Sequence, residues 1–223
     1  MPFECSSLTR GRRPAAAAAA VALIGVLYLL PMYVRLVPPT PIRPTALDRA
    51  VPFLDWTIWL YYSYAVLLLL PFAVCRDDGR VARVFLQLAA NSIVAGVIFI
   101  VWPTSGVVQQ PTAGGLSGLL WDALLSADRP TNYFPSLHVA NACISARALW
   151  GERGAWRIVA PVWALLVIAA TLTTKQHFAI DLAGGVAVAA CSVWLVHRLV
   201  RVDPEAWVRR MPPGKTGRLG DER

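Results

Sequence analysis

Residues 174–200 read Thr-Lys-Gln-His-Phe-Ala-Ile-Asp-Leu-Ala-Gly-Gly-Val-Ala-Val-Ala-Ala-Cys-Ser-Val-Trp-Leu-Val-His-Arg-Leu-Val. A polar mouth at 174–181 opens onto an apolar run, 178–200, of the length needed to cross a bilayer. His177 and Asp181 stand four residues apart, so a helix puts both on one face. A second polar mouth, Asn132-Tyr133-Phe134-Pro135-Ser136-Leu137-His138, opens the segment 133–150. A histidine backed by a carboxylate is a usual way to build a base or a nucleophile. Set beside a bilayer, such a pair points to chemistry on a lipid.

Working outward, apolar stretches of about spanning length fall near 15–37, 52–75, 84–103, 133–150, 156–174 and 178–200. The expected fold is all-α: a polytopic membrane protein with about six transmembrane helices in one bundle, a single domain over 1–223. Composition agrees. The chain is 57% hydrophobic and 15% charged, with mean hydropathy +0.53, whereas soluble domains are about a quarter charged. The stretch 133–150 is the least apolar and carries His138, Asn141, Ser145 and Arg147. Polar groups within a span face the bundle or a wet cavity and mark function. The first stretch follows Arg10, Arg12 and Arg13 but leaves through Leu-Leu-Pro-Met-Tyr-Val-Arg, a poor cleavage site, and reads as a span and not a leader.

The net charge of +8 is spread over loops and tails, as membrane topology requires, and no nucleic-acid partner is expected. With the N-terminus inside, the inner segments hold Arg10, Arg12, Arg13, Arg76, Arg80, Arg83, Arg147, Arg153 and Arg157, and a basic tail over 201–223. The outer segments hold only Arg35, Arg43, Arg49, Arg129 and Lys175. This asymmetry predicts a plasma (inner) membrane protein with both termini cytoplasmic, the segment 1–14 included. His138 and His177 then share the extracytoplasmic face. The loop 104–132, with Trp121 as an amphipathic candidate, lies on that side as a lid or a spacer. Cys5, Cys75, Cys143 and Cys191 form no metal-ligand spacing, so no metal and no cofactor are expected.

Pro135 suits the first turn of a helix, which leaves the amides of Ser136, Leu137 and His138 free at its N-terminus as an anion site. The Ser136 hydroxyl, Lys175, Arg129 and Asn132 complete the expected substrate-binding set. The chain has 19 Arg and only 2 Lys, and one of those lysines stands two places before His177. Asp181 is costly within an apolar span unless partnered, and His177 is its obvious partner. His197, beside Arg198, reads as an interface residue.

Pro135-Ser136-Leu137-His138 and His177-Phe178-Ala179-Ile180-Asp181 resemble the second and third motifs of the type-2 phosphatidic acid phosphatases. The resemblance implies His177 as nucleophile, His138 as general acid and Asp181 as the partner that orients His177, with no metal. It implies a membrane lipid phosphate as substrate. The chain departs from the pattern at three places. Asp122 stands where the first motif has lysine, leaving only Arg129-Pro130 of that motif. Ala170-Thr171 replace Ser-Arg, and Leu137 replaces glycine. The Pro-Ser-Leu-His form and Pro52-Phe53-Leu54-Asp55-Trp56 resemble the branch that holds inositol phosphorylceramide synthases. The expected function is hydrolysis of a lipid phosphate monoester or diphosphate at the outer leaflet through a phosphohistidine. The alternatives are a lipid phospho-headgroup transferase and a non-catalytic membrane protein with a degenerate site.

Overall fold

The computed structural model describes residues 3–6, 8–34, 36–106, 111–129 and 131–203. Pro130 and the tail beyond Asp203, both named above, lie outside the described residues. The chain is all-α. Its helices are α1 (Arg13–Tyr33), α2 (Ala46–Ala50), α3 (Ile58–Val74), α4 (Asp78–Val101), α5 (Gly115–Ala127), α6 (Leu137–Trp150), α7 (Trp156–Thr173) and α8 (Ala179–Leu199). Short parallel pairs join β1 (Phe3–Ser6) to β4 (Val200–Asp203) and β2 (Thr40–Pro41) to β3 (Thr104–Ser105). Among the described residues, α1, α3, α4, α7 and α8, the first two with their leading 3₁₀ turns, are long and apolar enough to cross a membrane.

The expected span 133–150 is divided. Residues 131–136 are extended or irregular, and only Leu137–Trp150 are helical. The reason is local. Pro135 disfavours helix at the residue before it, and Ser136 caps the helix by accepting a 3.4 Å hydrogen bond from the Val139 amide. Pro135 therefore precedes the cap and does not occupy the first turn. At 1.5 Å per residue α6 is about 21 Å long, shorter than a hydrocarbon core of about 30 Å.

Burial compensates for that shortness. α6 packs on α3, α4, α7 and α8, and Val139, Ala142, Ile144, Ser145 and Leu149 are wholly enclosed. Alanine and serine along it let four neighbours approach closely. Irregular backbone at membrane depth is tolerated where protein covers it, and Thr131, Asn132, Tyr133, Pro135 and Ser136 are all buried.

The bundle has two unlike ends. At one, Arg13 Nη2 meets Asp78 Oδ1 and Arg80 Nη1 meets Glu152 Oε1, both at 2.6 Å. At the other, the loops before α6 and α8 bring His138 and His177 together. The loop expected over 104–132 holds β3 and α5. The ring of Trp121 on α5 is buried against Phe53, and its Nε1 donates to the Asp55 carbonyl at 3.0 Å. Leu116 and Leu119 on the same helix are exposed.

Candidate active site

Two glycines set the distance between α8 and the start of α6. A Cβ on Gly185 would stand 2.6 Å from the Ser136 carbonyl oxygen and 2.9 Å from Val139 Cβ. A Cβ on Gly184 would stand 2.3 Å from the Phe134 ring. Only residues without a side chain permit that contact, because the neighbours are backbone and packed side chains that have nowhere to go. The approach is locked by the Ser136 amide, which donates to the Asp181 carbonyl at 3.1 Å.

The consequence is that the rings of His138 and His177 lie 6.0 Å apart between centroids. Their sequence separation is spanned entirely by α6, α7 and two short loops. His138, half-buried, rests between Tyr61 and Tyr64, each at 4.5 Å. Tyr64 in turn accepts from Asn141 Nδ2, and Asn141 Oδ1 accepts from Asn91 Nδ2, both at 2.8 Å. A buried polar chain thus fixes the ring that supports His138.

His177 is 8% exposed and Asp181 is fully buried. Nδ1 of His177 lies 3.5 Å from Asp181 Oδ2, an ion-pair distance without the alignment of a hydrogen bond. Asp181 Oδ2 also accepts from the Phe178 amide at 2.8 Å, capping α8. One carboxylate therefore starts the helix and faces the histidine.

A small cavity of about 20 Å³ adjoins His177 and is lined also by Tyr61, Asp128, Arg129, Thr131, Asn132 and Gln176. That is room for about one water. Thr131 Oγ1, Asn132 Oδ1, His177 Nδ1 and Asp181 Oδ1 are buried without a hydrogen-bond partner among the described residues. Each such group costs about 1–3 kcal/mol. Their clustering around one histidine marks a place held ready for a polar ligand.

The expected binding residues divide into three sorts. Arg129 and Asn132 do line the cavity with His177. Arg129 rests over the Tyr33 ring at 4.7 Å; Asn132, at φ 60°, donates to the Tyr28 carbonyl at 2.9 Å. Ser136 is at the site, but its amide and its hydroxyl lone pair are already engaged by Asp181 and Val139. The amides of Leu137 and His138 are without a hydrogen-bond partner among the described residues.

Lys175 turns elsewhere. Its Nζ donates to the carbonyls of Asp48, at 2.7 Å, and Val51. It lines a cleft with Asp48, Arg49 and Phe178 and does not line the His177 cavity. Two end-of-helix carbonyls are natural partners for an ammonium. Asp48 Oδ1 also accepts from the Ala179 amide at 2.7 Å. α2 therefore clamps the loop that carries His177 from both sides. Burial alone raises the Asp48 carboxyl, but donors from Thr45 and Ala179 and the Lys175 charge outweigh it and hold it below its usual value.

Asp128 and Gln176 complete the cavity wall, and no spacing in the chain announces them. Burial raises the Asp128 carboxyl above its ordinary value, against the Tyr28 hydroxyl that donates to it at 2.7 Å. Asp122, where the resembling motif has lysine, is exposed; Ala170 and Thr171 are buried. No residue at those three positions supplies a cation.

Comparison with curated proteins returned no significant match. The family model of the PAP2 superfamily matches residues 41–195, well over half of the chain. That range holds His138, His177, Asp181 and the two glycines that bring their helices together, and the chain belongs to the PAP2 superfamily.

Proposed function

We propose that the chain is a membrane phosphatase that hydrolyses a lipid phosphate monoester or diphosphate through a phosphohistidine at His177. Members of the superfamily are generally phosphatases or phosphotransferases. The observation that carries the finer reading is the pairing of two histidine rings 6.0 Å apart, one of them 3.5 Å from a buried carboxylate.

Asp181 keeps the proton on His177 Nδ1, so Nε2 carries the lone pair. Nε2 attacks phosphorus in line, and the P–O bond to the lipid alcohol of a monoester, or the bridging P–O bond to the remaining lipid phosphate of a diphosphate, breaks. His138, protonated for this step, gives its proton to the leaving oxygen. Water then attacks the phosphohistidine, the N–P bond breaks, His138 takes a proton back, and inorganic phosphate leaves. Arg129, the Thr131 hydroxyl, Gln176 and the free amides of Leu137 and His138 are the donors for the equatorial oxygens. Substrate has to widen the cavity. Arg129, exposed and held by one ring contact, is the lining residue with least to lose by moving.

The orientation proposed is extracytoplasmic for the histidine end. Arg76, Arg80, Arg83, Arg147, Arg153 and Arg157 all fall at the other end, and cationic loops stay cytoplasmic. The inner membrane is the corresponding location.

A second reading is favoured by one observation. Arg129 is the single Lys or Arg that lines the His177 cavity among the described residues. One cation suits a phosphodiester, with one negative charge, better than a monoester with up to two. On that reading a lipid alcohol replaces water in the second step, and a phospho-headgroup is transferred, as in the branch with inositol phosphorylceramide synthases.

The test is a panel of lipid phosphate monoesters, diphosphates and diesters, each with and without an acceptor lipid alcohol. Free phosphate from the monoesters or diphosphates without acceptor supports hydrolysis. New headgroup-bearing lipid that appears only with acceptor, and no free phosphate, contradicts it. No turnover of any member leaves the non-catalytic alternative standing.

A further inference from the structure

A groove in the bundle lies away from the histidine site. It measures about 770 Å³ and is walled by α4 and α7, with α6 between them. Arg80, Arg83, Arg147 and His197 line it. Arg147 is about 14 Å along α6 from His138 at 1.5 Å per residue, and the packed core of the bundle separates the two. Val84, Ala164, Leu165 and Ile168 make its apolar wall.

The charges there are not equivalent. Arg80 is committed to Glu152 at 2.6 Å. Arg83 makes no side-chain hydrogen bond or ion pair with any described residue, and Arg147 meets only His197 Nε2, at 3.4 Å. Gln87, 2% exposed, lines the same groove and makes no side-chain hydrogen bond among the described residues. Neither polar atom of that carboxamide is sealed inside the protein, so the groove is where it can find a partner. A guanidinium without an ion pair among the described residues, a second that meets only a histidine, an amide unpaired at the groove surface and an apolar wall describe one kind of ligand. It has an anionic head, polar ester oxygens below it and a hydrocarbon chain.

We infer that this groove binds an anionic phospholipid, with its phosphate on Arg83 and Arg147, an ester oxygen on Gln87, and one acyl chain along Val84, Ala164, Leu165 and Ile168. A soluble anion would use the cations and leave the apolar wall unfilled. A zwitterionic lipid brings a cation of its own against the two arginines. Guanidinium–phosphate contacts are charge-assisted and geometrically specific, and basic residues at a membrane surface attract anionic lipid. The site is independent of what chemistry His177 performs.

Native mass spectrometry of the full chain in neutral detergent tests this with three probes: phosphatidylglycerol, phosphatidylcholine with the same acyl chains, and inorganic phosphate. Phosphatidylglycerol is expected to form a one-to-one adduct at about tenfold lower concentration than phosphatidylcholine. The double variant R83Q/R147Q is expected to lose about tenfold in that binding while keeping its elution volume and helical content. Leu165→Trp is the second variant. Leu165 is 65% exposed, so a larger side chain there fits the fold while filling the groove with both cations kept. It too is expected to weaken the adduct. Equal binding of the two lipids, an adduct unchanged in both variants, or displacement of the lipid by millimolar inorganic phosphate would overturn the proposal.

Discussion

His177 stands just before α8 and His197 near its end, yet the two rings have opposite surroundings. His177 is 8% exposed and faces a fully buried carboxylate, with a second histidine 6.0 Å away. His197 is exposed, and its near neighbour is the guanidinium of Arg147. An anionic partner holds a proton on one ring nitrogen and leaves the other nucleophilic; a cationic partner does neither. The same residue type is therefore proposed as the reacting group just before α8 and as part of a groove near its end. What separates the two ends is the close approach of α8 to α6, which Gly184 and Gly185 allow at the second turn of α8.

Substitutions that remove chemistry from the histidine end should have the largest effects. His177→Ala is expected to lower turnover by about 10⁴-fold or more with the fold intact, as loss of a nucleophile does. Appreciable residual activity would remove His177 from that role. His138→Ala is expected to cost about 10²–10⁴-fold on lipid substrates. The loss should shrink on a substrate with an acidic leaving group such as a nitrophenyl phosphate, which needs no protonation. An equal loss on both substrates would argue against a general acid.

Substitutions that act through packing should be smaller and should show in stability as well as rate. Gly185→Val is expected to destabilise the protein by about 1–3 kcal/mol and to lower activity by separating His138 from His177. Loss of activity with unchanged thermal stability would contradict the steric account. Lys175→Ala should cost about 1–2 kcal/mol through the lost bonds to the Asp48 and Val51 carbonyls. Inhibition by vanadate should hold, because Lys175 does not line the cavity. A weaker inhibition constant would return Lys175 to the phosphate site. His197→Ala, at the other end, is expected to change turnover by less than about twofold, within the range of an ordinary surface substitution.

The clamp by α2 has a pH signature of known sign. The Asp48 carboxyl is held below its usual value, so its contribution to stability is present above the unfolded value of about 3.9. It is lost as pH falls through the lower folded value. Asp48→Asn should remove that part of the acid sensitivity. A variant with the same acid profile as the parent would show that the clamp contributes nothing measurable.

Much of this was legible in the chain itself. Hydropathy located the spans because burial in lipid needs length and little charge, and those are sequence properties. His177 and Asp181 were legible because four residues is a local distance; the expected shared helix face is not what joins them, since His177 stands in the loop before α8. Their meeting with His138 followed from counting spans, since alternate crossings return the chain to the same end. What the chain did not announce concerns partners distant in sequence. Lys175 looked like a phosphate ligand from its place beside His177, but its bonds run to α2, more than a hundred residues earlier. Ser136 looked free because nothing local consumes its amide; the Asp181 carbonyl does so across the bundle. The shortness of α6 had a local signal in Pro135, but its burial among four helices had none.

The most direct test of the account is to trap the covalent intermediate. The full chain is incubated briefly with a lipid phosphate labelled in its phosphoryl group, quenched at alkaline pH, digested and mapped by mass spectrometry. An acid-labile, alkali-stable phosphoryl group is expected on His177, absent in His177→Ala. A turning-over enzyme that carries no label, or carries it on any residue other than His177, would contradict it.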